Sequence, residues 1–238
     1  MAIDRGTLTT LAGICGNIIS FGLFLSPLPT LIRICKQKAV HAFKPDPYLA
    51  TTLNCIMWLF YGLPLVTKDN LLVITINSAG LIMELGYVTI FFIYSPWAKR
   101  RRITYVLIFE VVFAAVVVFV TLFFFHSLKD RAMIVGILCI VFNVIMYTSP
   151  LTVMKMVIKT KSVKYMPFTL SLANFVNGCI WSLYAILKRD TYVLIPNALG
   201  TLSGVVQLVM YAVYYKTTNW DEDDEEDIPQ EVQLSNNA

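Results

Sequence analysis

The sequence predicts an all-α integral membrane protein with seven transmembrane helices, formed by two parallel three-helix bundles and a connector helix. Composition, the number of apolar runs and an internal repeat support this fold class. The 238 residues are 57% hydrophobic and only 14% charged, with a mean hydropathy of +0.68. A chain of this length has too few polar residues to cover the surface of a soluble globular protein. The bilayer is therefore its expected solvent.

Each span of the predicted fold is a run of about 20 mostly apolar residues, the length that crosses a membrane. Seven runs meet this condition. They are Leu8 to Cys35, Tyr48 to Thr67, Leu71 to Ser95, Ile103 to Phe125, Ala132 to Ile158, Phe168 to Leu187, and Tyr192 to Tyr215.

Short motifs recur along the chain at a nearly constant spacing. They are Ser26–Leu28 with Ser149–Leu151, Lys36–Val40 with Lys159–Val163, and Trp58–Tyr61 with Trp181–Tyr184, all displaced by 123 positions. Asn77 returns as Asn197, displaced by 120 positions. Two similar halves built from apolar helices are typical of transporters that bind their substrate centrally.

The repeat pairs the first three spans with the last three and leaves the fourth, rich in Val and Phe, without a counterpart. Two three-helix units of the same orientation need one extra crossing between them, so the fourth span is predicted to be a connector. We therefore expect a first triple-helix repeat at 1–97, connector helix 4 at 98–127, a second repeat at 128–216 and a disordered acidic cytoplasmic tail at 217–238.

The basic residues predict the orientation of these spans. Thirteen of the nineteen Lys and Arg residues fall on one side of the predicted membrane, including Lys99–Arg102 and Lys216. By the positive-inside rule this side is cytoplasmic, which places the C terminus in the cytoplasm. Seven consecutive acids, Asp221 to Asp227, follow the last span and indicate a solvated tail.

Enzymatic and metal-dependent functions are not supported. No span pairs a nucleophile with a base, and neither the two histidines nor the five cysteines have the spacing of metal ligands. We expect no catalytic residues, metal, cofactor or nucleic-acid partner. The predicted partners at this point are the lipid bilayer and further copies or relatives in an oligomer, for which the Gly200 and Gly204 strip is a candidate.

Polar amides within the spans are the first candidate binding residues, because an unpaired amide in lipid is costly and normally faces a cavity or the bundle interior. An Asn side chain offers both a donor and an acceptor, which match a hydroxyl group of a bound solute. Asn77 and Asn197 are favoured because they are repeat-equivalent; the alternative is that they link helices. The further polar candidates are Ser20, Asn54, Asn143 and Asn177.

Trp58 and Trp181 are the second candidate pair, since they lie deep in their spans at repeat-equivalent positions. A flat apolar ring face of a solute can stack on an indole, with roughly 1 kcal/mol for each face on the scale of ring contacts. Ordinary core packing remains the alternative.

Several motifs together resemble the plant SWEET sugar transporters over roughly Gly13 to Tyr215. They are Gly16–Ser20, Phe24–Thr30, Lys159–Val163 with Met166–Phe168, and Pro196–Gly200. The resemblance implies a facilitator for mono- or disaccharides that alternates between outward-open and inward-open forms, with Asn77, Asn197, Trp58 and Trp181 at its sugar pocket.

The resemblance also assigns gates and a selector of substrate size. Leu23 and Met146 match positions that border the pocket, and both are bulky, which favours glucose or a similar hexose over sucrose. Tyr61 and Asp190 match residues that close the extracellular gate. The proline tetrad of the intracellular gate is Pro27, Pro47, Pro150 and Pro167, each of which removes a backbone donor from its span.

Glu84 and Glu110 are the acids that lie well inside spans, and neither has a repeat partner. A proton- or sodium-coupled carrier needs an ionisable group at its site. A proton role for Glu84, two turns after Asn77, stays open, but passive bidirectional uniport is the prediction. The alternatives are a seven-helix receptor or a transporter of another small solute, such as an amino acid. Nothing in the sequence distinguishes the plasma membrane from the vacuolar membrane.

Overall fold

The computed structural model describes residues 4–220, and the predicted acidic run Asp221 to Asp227 lies outside them. Within that range the chain forms nine α-helices and one short 3₁₀-helix. They are α1 (Arg5–Leu25), α2 (Leu28–Gln37), α3 (Asp46–Gly62), α4 (Leu71–Tyr94), α5 (Trp97–Phe124), α6 (Leu128–Met146), α7 (Thr148–Thr160), α8 (Phe168–Lys188), α9 (Thr191–Tyr214) and the 3₁₀-helix Tyr215–Thr217.

These helices supply the seven predicted spans, because α1 with α2, and α6 with α7, each form one interrupted span. Six segments of the described chain are long and apolar enough to cross a membrane. The seventh, α3, has 17 residues and falls just below that length. The all-helical membrane fold and its order of three spans, a connector and three spans are confirmed.

Both interruptions lie beside a predicted gating proline. After Leu25 the Ser26 N–H donates to Leu23 O at 3.1 Å, and α2 begins only after Pro27, which has no N–H to donate. In the second repeat Pro150 is the third residue of α7 and the interruption falls at Tyr147, whose N–H donates to Val144 O at 3.2 Å.

The other two prolines of the tetrad lie where helices begin, as the sequence predicts. Pro47 is the second residue of α3 and Pro167 is the N-cap of α8. The first turn of a helix needs no N–H from these positions, so proline fits there without loss of a helical hydrogen bond.

Two helix ends differ from the predicted spans by five residues or more. The third helix ends at Gly62, five residues before the predicted Thr67, because Leu63 precedes Pro64 and is extended at φ −62° and ψ 146°. The fifth helix starts at Trp97 instead of Ile103. Its first turns include the basic run Lys99–Arg102, which hydropathy leaves out although Lys and Arg are good helix formers.

The described chain divides into two compact units. The first contains residues 4–30 and 144–220, and in it α8 packs along both α1 and α9. The helices α8 and α9 approach closely at glycines. A Cβ on Gly178 would lie 2.7 Å from Thr201 Oγ1, and one on Gly204 would lie 2.8 Å from the Phe175 Cα. Small residues permit this spacing.

The second unit contains residues 31–143, and in it α3 packs along α4 while both contact α5. The Tyr48 ring of α3 lies 5.8 Å from the Tyr87 ring and 5.1 Å from the Phe91 ring of α4. Glu84 is on the same helix as these two rings and is buried at 4% exposure. The second unit therefore contains Glu84, the acid for which the sequence left a role in proton coupling open.

Candidate substrate-binding site

A polar network joins α1 to α8 in the first unit. The Ser20 hydroxyl donates to the Asn177 amide oxygen at 2.7 Å and accepts from the Trp181 indole N–H at 2.9 Å. Ser20 is 8% exposed and Trp181 is 7% exposed. Three of the predicted binding residues are therefore held in one donor–acceptor chain, with the indole ring fixed against α1.

Gly16 allows this position of the indole. A Cβ on Gly16 would lie 2.9 Å from Trp181 Cε2, closer than side chains tolerate. The α1 backbone and the indole ring therefore meet directly, and a larger residue at this position would displace the ring. The sequence motif contained Gly16, but its contact with Trp181 could not be read from it.

The second unit repeats this arrangement at the equivalent positions. Asn143 of α6 donates to the Asn54 amide oxygen of α3 at 3.1 Å and to Cys139 O at 2.9 Å. By the displacement of 123, Asn143 corresponds to Ser20 and Asn54 corresponds to Asn177. These two equivalent pairs therefore lie one in each unit, and each joins a helix of the first repeat to a helix of the second.

The two tryptophans have matching aromatic neighbours. Trp58 lies edge-on to Tyr61 with ring centroids 5.4 Å apart at 79°, and Trp181 lies edge-on to Tyr184 at 5.2 Å and 73°. All four side chains are buried. Edge-to-face contact fixes the tilt of an indole ring, so each unit presents a tryptophan in a defined orientation.

Asn77 and Asn197 also have identical local geometry. Each donates one amide hydrogen at 2.8 Å to the carbonyl oxygen four residues earlier, which is Val73 O for Asn77 and Val193 O for Asn197. Both side chains are half-buried. An amide has two N–H donors and a carbonyl oxygen, so this bond leaves capacity for a substrate hydroxyl.

Both predicted residues of the extracellular gate have defined neighbours in the structure. Asp190 caps α9, where its carboxylate accepts from the backbone N–H groups of Tyr192 at 3.1 Å and Val193 at 3.2 Å. Tyr61 is 1% exposed against Trp58. The capping role of Asp190 could have been predicted, because Asp directly before an apolar helix is a typical N-cap.

The predicted selectors Leu23 and Met146 are half-buried and lie at the ends of their helices. Leu23 is three residues before the break at Ser26, and Met146 is the last residue of α6. Each therefore lies next to a break in its span.

Tyr147 makes contacts that the sequence did not predict. Its hydroxyl donates to Pro196 O at 2.6 Å, and a Cβ on Gly200 would lie 2.6 Å from the same hydroxyl. Tyr147 thus ties the break in the fifth span, between α6 and α7, to α9, one residue before Asn197. The sequence did contain one indication of this role, because Tyr147 corresponds to Phe24 in the first repeat and differs from it by a hydroxyl group.

Within residues 4–220 no group of His, Cys, Asp and Glu side chains could hold a metal ion. The arrangement in both units consists of amides, hydroxyls and indoles in apolar helices. Such groups bind neutral polar molecules through hydrogen bonds and ring contacts. The fold and these side chains define a multi-pass integral membrane transporter.

The comparison with known families agrees with this class. The sequence profile of the MtN3_slv family, described as a sugar efflux transporter for intercellular exchange, matches residues 10–99 and 133–219. The two matches begin 123 positions apart, the same displacement as the repeated motifs. The chain belongs to this family of transporters, known as SWEET proteins, and the resemblance stated from the sequence is confirmed. It is not an enzyme.

Relatives and a solved structure cover nearly the whole chain. The bidirectional sugar transporter SWEET5 of Arabidopsis thaliana is 64% identical over 94% of this chain and 93% of its own. SWEET4 of the same plant is 57% identical over 90% and 85%. The 3.7 Å structure of a eukaryotic SWEET transporter aligns with a TM-score of 0.86 and 38% identity, covering 89% of this chain and 99% of that one.

Proposed function

We propose that this protein is a bidirectional facilitative transporter that moves glucose or similar hexoses by alternating access. The observation that carries the proposal is the repetition of one polar and aromatic arrangement at equivalent positions of the two units. Relatives at 64% and 57% identity are named bidirectional sugar transporters, which supports a sugar as the substrate. The sugar is proposed to bind in a central pocket between the two repeats.

The binding residues are proposed to be the amides and indoles. Asn77 and Asn197 bond the sugar hydroxyls, while Trp58 and Trp181 contact the two apolar faces of the ring. The bonded pairs Ser20–Asn177 and Asn143–Asn54 are proposed to orient these groups, one pair in each unit. A sugar replaces the hydrogen bonds of water with those of the amides, so the site must present several donors and acceptors together.

The breaks in the spans support movement between two states. The chain passes from one compact unit to the other at residues 30–31 and 143–144. Thr30 is three residues after Pro27, and Asn143 is four residues before Tyr147. We propose that these breaks bend during transport, with the proline tetrad forming the intracellular gate and Tyr61 with Asp190 the extracellular gate.

Passive transport is proposed because neither buried acid belongs to the repeated arrangement. Glu84 and Glu110 are each 4% exposed and have no repeat counterpart. A coupling acid must meet the proton or ion together with the substrate. We propose that the sugar gradient alone drives flux in either direction.

The proposed location is the plasma membrane or the vacuolar membrane, with the C terminus in the cytoplasm. The excess of Lys and Arg on one side of the seven spans supports this orientation. Assembly into homo- or hetero-oligomers stays a prediction, but the strip that suggested it is occupied within the chain, because Gly200 faces Tyr147 and Gly204 faces Phe175.

The test is radiolabelled glucose flux in proteoliposomes that contain the purified protein. The wild type is compared with Asn77→Ala and Asn197→Ala, with and without an imposed pH gradient. Asn174→Ala is the matched control, because Asn174 is exposed on α8 only three residues before Asn177. We expect saturable glucose flux in both directions that does not depend on the pH gradient. Both site variants should lose this flux, and the control variant should keep it.

A different result would reassign the function. If folded protein moves neither glucose nor sucrose, the proposal of sugar transport is wrong and a receptor or a carrier of another solute takes its place. If the pH gradient drives glucose uphill, transport is coupled and Glu84 becomes the first residue to replace.

A further inference from the structure

The turn between α3 and α4 (residues 63–70, here called the α3–α4 turn) is bonded to the last helical turn of α3. The Thr67 hydroxyl donates to Tyr61 O at 2.6 Å, and the Asn70 side-chain amide donates to Thr67 Oγ1 at 2.7 Å. Tyr61 is 1% exposed and Asn70 is 3% exposed. The three residues therefore form one donor–acceptor chain, here called the threonine clamp, which ends on the backbone of Tyr61.

The position of Tyr61 near a helix end explains why its carbonyl group uses a side-chain donor. The last four C=O groups of a helix have no N–H partner within the helix. Because α3 ends at Gly62, the residue four positions after Tyr61 is Leu65, which lies in the α3–α4 turn. The Thr67 hydroxyl supplies a donor at this position.

The Asn70 side chain serves the threonine clamp and not the helix that follows it. Asn70 stands directly before α4, where an asparagine side chain usually accepts from the first N–H groups of the helix. Within the described chain it makes no capping bond to α4 and donates to Thr67 instead. The Thr67 hydroxyl gives its one hydrogen to Tyr61 O, so its oxygen is available to accept from Asn70.

The α3–α4 turn is itself fixed to another part of the second unit. Arg131 of α6 donates to Leu65 O at 3.0 Å and to Phe125 O at 2.7 Å, which joins the turn to the connection between α5 and α6. The Thr67 backbone N–H donates to Leu63 O at 2.9 Å. The turn that carries the Thr67 hydroxyl is therefore held in place when it bonds α3.

The equivalent turn of the second repeat is built differently. By the displacement of 123, Tyr61 corresponds to Tyr184, but α8 continues to Lys188 and the turn before α9 consists of residues 189–190 alone. The Tyr184 carbonyl thus lies inside its helix and needs no such clamp. The displacement changes from 123 to 120 between Tyr61 and Asn77, the segment that contains the α3–α4 turn. The extra residues of the first repeat build the threonine clamp.

We propose that Thr67 and Asn70 are positioning residues of the extracellular gate, which hold Tyr61 in its buried form. This inference rests on the gate role of Tyr61 proposed above. Tyr61 lies edge-on to Trp58 at 5.4 Å, so the clamp fixes the end of α3 that carries both rings. Loss of the Thr67 hydroxyl removes a donor from the Tyr61 carbonyl. The last turn of α3 then opens more easily, which favours the form of the carrier that is open to the outside.

The test is the ratio of KM for glucose entry to KM for glucose exit in oocytes that express the full-length protein, with sugar on one side only. An equal change of sugar affinity on both sides, or a smaller amount of folded protein, leaves this ratio unchanged. Thr67→Val keeps the shape of the side chain and removes the hydroxyl. It should lower the ratio by about 2- to 12-fold, the effect of one neutral hydrogen bond on an equilibrium constant. Asn70→Ala should shift the ratio in the same direction.

Two further variants are the controls. Thr67→Ser keeps the hydroxyl and should retain the wild-type ratio. Thr89→Val is the matched control, because the exposed Thr89 donates to Leu85 O at 2.7 Å within α4. A wild-type ratio in Thr67→Val, or a shift in the opposite direction, would overturn the proposal. The same shift in Thr67→Ser would also overturn it.

Hydrogen–deuterium exchange separates this proposal from the proposed function, because it reports local opening of the backbone without any substrate. In nanodiscs the amide exchange of residues 61–66 should rise by about 2- to 12-fold in Thr67→Val and stay unchanged in Thr67→Ser. If the wild type moves no glucose, the proposed function is wrong, but faster exchange in Thr67→Val still supports the positioning of Tyr61 by the clamp. Unchanged exchange in Thr67→Val would overturn it.

Discussion

The Ser20 hydroxyl accepts a hydrogen bond from the Trp181 indole N–H at 2.9 Å and donates one to the Asn177 amide oxygen at 2.7 Å. One small hydroxyl therefore orients two side chains of another helix. The equivalent positions of the second unit, Asn143 and Asn54, are bonded at 3.1 Å. An amide at position 143 replaces the hydroxyl at position 20, so the two units keep the same link with different groups.

Replacement of Ser20 by Ala should destabilise the protein by leaving both the Trp181 N–H and the Asn177 oxygen without this partner. Each buried group that loses its bond costs about 1–3 kcal/mol, reduced in membranes where alternative partners exist. The measurement is thermal unfolding in detergent. Ser26→Ala is the matched control, because Ser26 is exposed and bonds only within its own turn. Equal melting temperatures for both variants would contradict the prediction.

Gly16→Ala should lower stability by about 1–3 kcal/mol, because the new Cβ would meet the Trp181 ring at 2.9 Å. Gly22→Ala on the same helix has no atom within 4 Å of its Cβ. That variant should be neutral or gain up to about 1 kcal/mol of helix propensity. Tryptophan fluorescence during thermal unfolding checks both, and a stable Gly16→Ala protein with unchanged Trp181 emission would disprove the contact.

Tyr147 and Gly200 should be energetically coupled. Gly200→Ala is expected to destabilise the wild type because its Cβ would lie 2.6 Å from the Tyr147 hydroxyl. In a Tyr147→Phe background that oxygen is gone, so the same change should cost less. A double-mutant cycle on unfolding free energies should give a coupling of about 0.5–3 kcal/mol. Additive effects would show that the two residues do not meet.

Asp190 variants separate its capping role from a role in the gate. Asp190→Ala should cost about 1 kcal/mol of stability, because the N–H groups of Tyr192 and Val193 lose their acceptor. Asn caps helices as well as Asp does, so Asp190→Asn should keep the melting temperature. If Asp190→Asn nevertheless slows glucose flux, the carboxylate charge serves the gate. Unchanged flux in Asp190→Asn would show that the carboxylate charge has no role in the gate and that Asp190 acts only as a helix cap.

Smaller residues at Leu23 and Met146 should admit larger sugars. The double variant Leu23→Val with Met146→Val is expected to raise the ratio of sucrose flux to glucose flux in proteoliposomes. Leu25→Val is the matched control, because Leu25 is exposed at the end of the same helix. An unchanged ratio in a folded double variant would remove these two residues from the selection of substrate size.

The sequence by itself determined the membrane class, the seven spans, the repeat and the places where prolines interrupt or begin helices. These properties depend on local chemistry. Twenty apolar residues must be helical in lipid because their backbone groups find no other partners, and proline removes one of those groups wherever it occurs. The equivalence of Asn54 with Asn177 and of Trp58 with Trp181 also follows from spacing alone.

Only the tertiary structure decided which of these residues meet. Ser20 bonds residues 157 and 161 positions away, and Thr218 bonds a loop 55 positions earlier. No periodic pattern specifies such contacts, because they depend on which helices pack together and how closely glycines such as Gly16 allow them to approach. Hydropathy likewise placed Thr217 and Thr218 in a solvated tail, whereas their hydroxyls satisfy backbone groups that only the folded chain brings within reach.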